Sequence, residues 1–148
     1  MSFGEILLRL IAAAVVGGLV GLNRDLHGKP TGVPTLGLVA LGSALVVLAM
    51  AGVGNSGDTS RVIQGIVTGI GFLGAGVIIR PYAKGKVHGL TTAACVWLTA
   101  ALGAACGLGA WRVLVVGVPM AFLLLLFGKR LERLSEHVSR QASGEPDA

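Results

Sequence analysis

"VIQGIVTGIGFLGAGVII", residues Val62 to Ile79, holds Gly69, Gly71 and Gly74 in the spacing G-x-G-x-x-G, the fingerprint of a dinucleotide-binding turn. That fingerprint works only between a strand and a helix, with an acidic residue about 20 positions further on to hold a ribose. Here the sequence has no Asp or Glu between Asp58 and Glu132, and the glycines lie inside an almost wholly apolar run. No nucleotide is expected. The run reads instead as a membrane-spanning helix.

Working outward, the same texture recurs. Five apolar segments, Ile6 to Leu22, Thr35 to Val53, Val62 to Ile79, Leu90 to Leu108 and Trp111 to Phe127, are separated by short polar breaks. At about 1.5 Å of rise per residue, each is just long enough to cross a hydrocarbon core of about 30 Å. Apolar residues are 53% of the 148 and charged ones 13%, and the latter is about half the share of a soluble domain. The expected fold is all-α, a polytopic membrane bundle of about five transmembrane helices. Residues 1–130 form the transmembrane domain and residues 131–148 a short cytoplasmic tail. The first segment is expected to be a retained span rather than a cleaved leader: Glu5 stands where a positive region should be, Arg9 interrupts the start, and the segment ends in "GLNRD" rather than a small-residue cleavage site.

Basic residues set the expected orientation. Arg24 and Lys29 follow the first segment, Arg80, Lys84 and Lys86 the third, and Lys129, Arg130, Arg133 and Arg140 the fifth. The other side carries Arg61 and Arg112, with Arg9 near the start of the first segment. The bias puts the N-terminus outside and the C-terminus in the cytoplasm. A net charge of +5 placed in this way suits anionic lipid headgroups rather than nucleic acid. Cys95 and Cys106, both in the fourth segment, are about 16 Å apart along a helix, too far for a disulfide.

Lipid provides no hydrophobic drive for helix association, so contact depends on close backbone approach through small residues. Gly17 and Gly21, Gly65 and Gly69, and Gly103 and Gly107 form three G-x-x-x-G pairs. With Gly71, Gly74 and Gly76 added, the third segment is expected to be the central helix. Its glycine density also leaves room for a kink or break between Gly71 and Gly76.

The first polar break, "GLNRDLHGKPTGVPT", is richer than a turn needs. Asn23, Arg24, Asp25, Lys29 and Thr35 are the candidate functional residues, with Asp25 either paired to Arg24 or serving as the one metal-ligand candidate. In the second break, Thr91 or Thr92 can cap the fourth helix. Spans 2 and 4 both begin on this face, and their positive ends attract anions.

Three stretches, "GGLVGLNRDLHGKPTGVPTLGLVALGSAL", "GIVTGIGFLGAGVIIR" and "HGLTTAACVWLTAALGAACGLG", strongly resemble the MgtC/SapB family of bacterial inner-membrane proteins. The resemblance covers about residues 15 to 112. It implies a five-span inner-membrane protein connected with adaptation to low magnesium and related stress, with a regulatory role acting on other membrane machinery. The motif residues carried over are Gly21, Leu22, Arg24 and Asp25, then Gly28 to Gly32 and Thr35, then Gly69 to Gly76 and Gly89 to Ala94. The chain departs from the family pattern at Asn23 and in the second break at Pro81 and Tyr82, where an acid is common. It departs also at Pro34 and His88, where Arg is common, and at Leu36, where His is common. The tail is too short for the soluble C-terminal domain of longer members.

Two functional classes follow. A magnesium pathway needs carboxylates or rings of carbonyls to replace the ion's water, and no span has an internal Asp or Glu. A non-catalytic regulator packing on another membrane protein, or on itself, needs only surfaces. The regulator is the preferred reading and a magnesium transporter the alternative. No enzyme is expected, because the spans contain no set of nucleophile, base and orienting group. No cofactor is implied beyond Mg²⁺ at Asp25.

Overall fold

The computed structural model describes residues 1–51, 56–78 and 89–143. The elements described are helices: α1 (Phe3–Leu26), α2 (Val33–Ala51), α3 (Ser56–Ile78), α4 (Leu90–Leu108) and α5 (Trp111–Ser143). The first four are long and apolar enough to cross a membrane, and α5 carries a shorter apolar stretch, Trp111–Phe127. The ends expected at Val53 and Ile79 lie outside the described residues, as do Arg80, Lys84, Lys86 and His88.

Local chemistry sets where α1 begins and ends, beyond its apolar run. Ser2 caps the N-terminus by accepting from the Glu5 N–H at 3.3 Å, the start of a Ser-x-x-Glu sequence. At the other end Gly28 has φ +58°, and the N–H groups of Gly28 and Lys29 donate to the carbonyls of Asp25 and Arg24 at 3.0 Å. This Schellman turn needs a left-handed residue, which glycine adopts without steric cost. Arg24 and Asp25 thus belong to the helix, not to the loop where the sequence reading put them.

The chain divides into two compact units, Met1–Leu114 and the residues from Val115 onward. In the first, α2 packs against α1, α4 and α3, and α4 packs against α1, α2 and α3. Leu36, Ala40, Ser43, Ala44, Val47 and Leu48 are the buried residues of α2, recurring at intervals of three and four so that they form one stripe. Gly17 on α1 is so close to α2 that a Cβ would lie 2.5 Å from the Leu36 carbonyl oxygen and 2.7 Å from the Ala40 Cβ. One on Gly21 would lie 2.5 Å from the Val33 Cα, and one on Gly103 of α4 would strike the backbone of Ala40. One on Gly107 would lie 2.8 Å from the Ala44 carbonyl oxygen. Two glycine pairs therefore bring α1 and α4 onto α2, with Ala40 touched from both sides.

The third helix takes a different place from the one expected. In the apolar stretch of α4, 56% of residues are buried, against 6% in that of α3. A Cβ on Gly74 of α3 would lie 3.6 Å from the Ala93 Cβ of α4, an ordinary contact, but one on Gly65, Gly69, Gly71 or Gly76 would meet nothing within 4 Å. The burial belongs to α4, not α3: G-x-x-x-G spacing permits close approach but does not select a neighbour. Nor does α3 break near Gly71, since the helix runs unbroken to Ile78.

The second unit is the remainder of α5, helical through Pro119 as far as Ser143. The boundary expected between residues 130 and 131 falls inside this helix.

Candidate functional site

Both ends of α4 are held by arginines of α1. Near the C-terminus of α4, Arg9 Nη1 donates to the Gly107 carbonyl at 2.8 Å, while Nη2 donates to and pairs with Glu5 one turn away. The guanidinium lies where a Cβ on Gly109 would come within 2.7 Å of it. At the N-terminal end of α4, Arg24 Nη2 donates to Thr92 Oγ1 and, at 3.1 Å, to the Pro30 carbonyl. Arg24 Nη1 reaches Cys95 Sγ at 3.8 Å.

The two ends differ electrostatically. Arg9 sits at the partly negative end of α4 with a carboxylate beside it, the arrangement that favours a cation. Arg24 is only 4% exposed, stands at the partly positive end of α4, and has neutral acceptors for its donors. The Nε of each arginine is buried without a hydrogen-bond partner. Thr92 is buried in the first turn of α4, so it receives the guanidinium rather than capping the helix. The cap position is Gly89, φ +98°, with no side-chain hydrogen bond.

Asp25 does not pair with Arg24. Its Oδ2 accepts the Val33 N–H at 3.0 Å, capping α2 across the turn and satisfying one of the free N–H groups at a helix start. Gly32 makes this possible, because a side chain there would collide with the Asp25 carboxylate. Asn23 is partly buried, and its backbone carbonyl lies 2.7 Å from His27 Nδ1. Lys29, Thr35 and Thr91 are exposed. Among the described residues no three His, Cys, Asp or Glu side chains come together as a metal site would require.

The ends of the first four helices alternate. Arg24 of α1, Val33 of α2 and Thr92 of α4 gather around one polar cluster, and Val77 near the end of α3 abuts Gly89. The sequence pointed to Arg24, Asp25 and Thr92, and to Pro30 and Gly32 within the Gly28 to Gly32 motif, but gave no sign that Cys95 completes this cluster.

The MgtC family model matches residues 10–134. The chain is 44% identical over 141 residues to Protein SrpB of Synechococcus elongatus, covering 86% of this chain and 76% of that protein. It is 39% identical over 132 residues to YhiD of Escherichia coli K12, which is provisionally named a magnesium transporter, covering 82% and 59% respectively. It is 42% identical over 107 residues to Protein MgtC of Salmonella typhimurium, covering 72% of this chain and 45% of that protein. The chain thus spans about half to three quarters of the length of these relatives. No solved structure matches it.

Proposed function

The chain belongs to the MgtC family, and from that membership we propose that it is a non-catalytic regulator in the bacterial inner membrane, serving adaptation to scarce magnesium or related stress. Its N-terminus would lie outside and its C-terminus in the cytoplasm, following the basic residues. The likeness to Protein MgtC over 107 residues is the observation that carries this reading.

The distribution of acids favours regulation over transport. Glu5 and Asp25 stand near the two ends of α1, Asp58 opens α3, and no further acid occurs before Glu132. A dehydrating Mg²⁺ crossing this bundle would meet no carboxylate midway. Magnesium transport is the second reading, favoured by the name of the relative YhiD.

Deletion of the gene is expected to slow growth when external magnesium is scarce. Crosslinking in native membranes followed by purification should recover a second membrane protein, or a second copy of the chain, in stable association. Recovery of the chain alone, with unimpaired growth of the deletion strain, contradicts the proposal.

A further inference from the structure

The guanidinium of Arg24 is a permanent cation, buried to 4% exposure, and its hydrogen-bond acceptors among the described residues are all neutral. Its acceptors are a hydroxyl, a backbone carbonyl and a thiol. Of the chain's seven acids, Glu5 is paired with Arg9, and Asp25 has turned to the α2 backbone. Asp58 opens α3, about 30 Å along that helix from its Ile78 end. The residues joining α3 to α4 contain no acid, and the other four acids lie beyond Phe127. Among the described residues, Arg24 forms no ion pair.

The surroundings of this charge add to it. Thr92 places the guanidinium beside the first turn of α4, whose cap residue Gly89 offers no side-chain hydrogen bond and whose dipole presents its positive end. The contrast with Arg9 shows what is missing: that arginine meets a helix carbonyl and a carboxylate together. The Nε of both arginines is buried without a hydrogen-bond partner, so the difference lies in the carboxylate beside Arg9 and the neutral acceptors around Arg24. At Arg24 the buried charge and the helix start together call for an acceptor carrying negative charge. A tetrahedral oxyanion supplies several acceptors in different directions, matching a guanidinium on one side and helix N–H groups on the other.

We propose that Arg24, with Thr92 and the first turn of α4, binds a phosphate group, whether of a phospholipid headgroup or of free phosphate. The site would neutralise the buried charge and tie α1 to α4 through the ligand as well as through Thr92. It is independent of whether the chain regulates or transports.

The test uses the full chain purified in a phosphate-free sugar detergent. Thermal unfolding is followed against inorganic phosphate, with chloride at equal ionic strength as the reference, and bound phospholipid is measured by mass spectrometry. Saturable stabilisation by phosphate identifies the free anion. A phospholipid that survives delipidation and is displaced by phosphate identifies the headgroup. Either supports the site. In Arg24→Gln the binding should weaken about tenfold or more, a change of about 1.4 kcal/mol, with Arg24→Lys intermediate and Arg9→Gln unchanged. If Arg24→Gln does not accumulate, Arg24→Lys and the phosphate-against-chloride comparison on the parent decide the matter. No phosphate-specific stabilisation and no retained phospholipid, or undiminished binding by Arg24→Gln, would overturn the proposal.

Discussion

Arg24 in the last turn of α1 donates to Thr92 in the first turn of α4, 68 residues away in sequence. Arg9, 15 residues before Arg24 (24 − 9), holds Gly107, 15 residues after Thr92 (107 − 92). Equal spacing on both helices fixes α1 and α4 as antiparallel partners in register over about 22 Å. Because the bond at Thr92 is buried and charge-assisted, Thr92→Val should lower stability by about 1 to 3 kcal/mol. Thr92→Ser, keeping the hydroxyl, should cost much less. Unfolding of the purified variants in detergent checks both.

The glycines of α4 and α3 should respond in opposite ways. Gly103→Ala puts a methyl group into the Ala40 backbone and should destabilise by about 1 to 3 kcal/mol, as overpacking does. Gly69→Ala meets open space and should be neutral or gain up to about 1 kcal/mol of helix propensity. Equal losses at both positions in the same unfolding assay would mean that α3 also makes a close contact.

Asp25 and Gly32 should behave as one unit. Removing the α2 cap with Asp25→Ala is expected to cost about 0.5 to 2 kcal/mol. Gly32→Ala displaces the carboxylate and should cost a similar amount. In the double variant the second change should add little, because the cap is already lost, and a double-mutant cycle measures this coupling. Full additivity would show that the two positions act separately.

Orientation can be read from reporter fusions. A reporter joined after Lys86 or after Arg140 should be active on the cytoplasmic side, and one after Asp58 on the outer side, as the basic residues direct. An external reading at Lys86 would invert the placement of the Arg24 cluster.

How far the sequence reveals this arrangement depends on the range of each interaction. The helical class and the bounds of α4, Leu90–Leu108, follow from apolar length alone. The extra turns of α1 come from a Ser2 cap and a Gly28 turn, whose chemistry is local and readable, though the apolar run ends before them. Gly17, Gly21, Gly103 and Gly107 carry the same pattern as Gly65 and Gly69, yet only the first four press on α2. The pattern shows that a helix can be approached, not which helix approaches. For the same reason Asp25 looked like a partner for its neighbour Arg24. Successive residues on a helix point about 100° apart, and here they reach different elements, α2 and α4.

Magnesium flux through the reconstituted chain tests the central claim most directly. Proteoliposomes loaded with a magnesium-sensitive dye should show uptake no faster than protein-free liposomes, with either membrane orientation of the protein and at any magnesium concentration. Saturable uptake that requires the protein and is abolished by Asp25→Asn or Asp58→Asn would contradict regulation without transport.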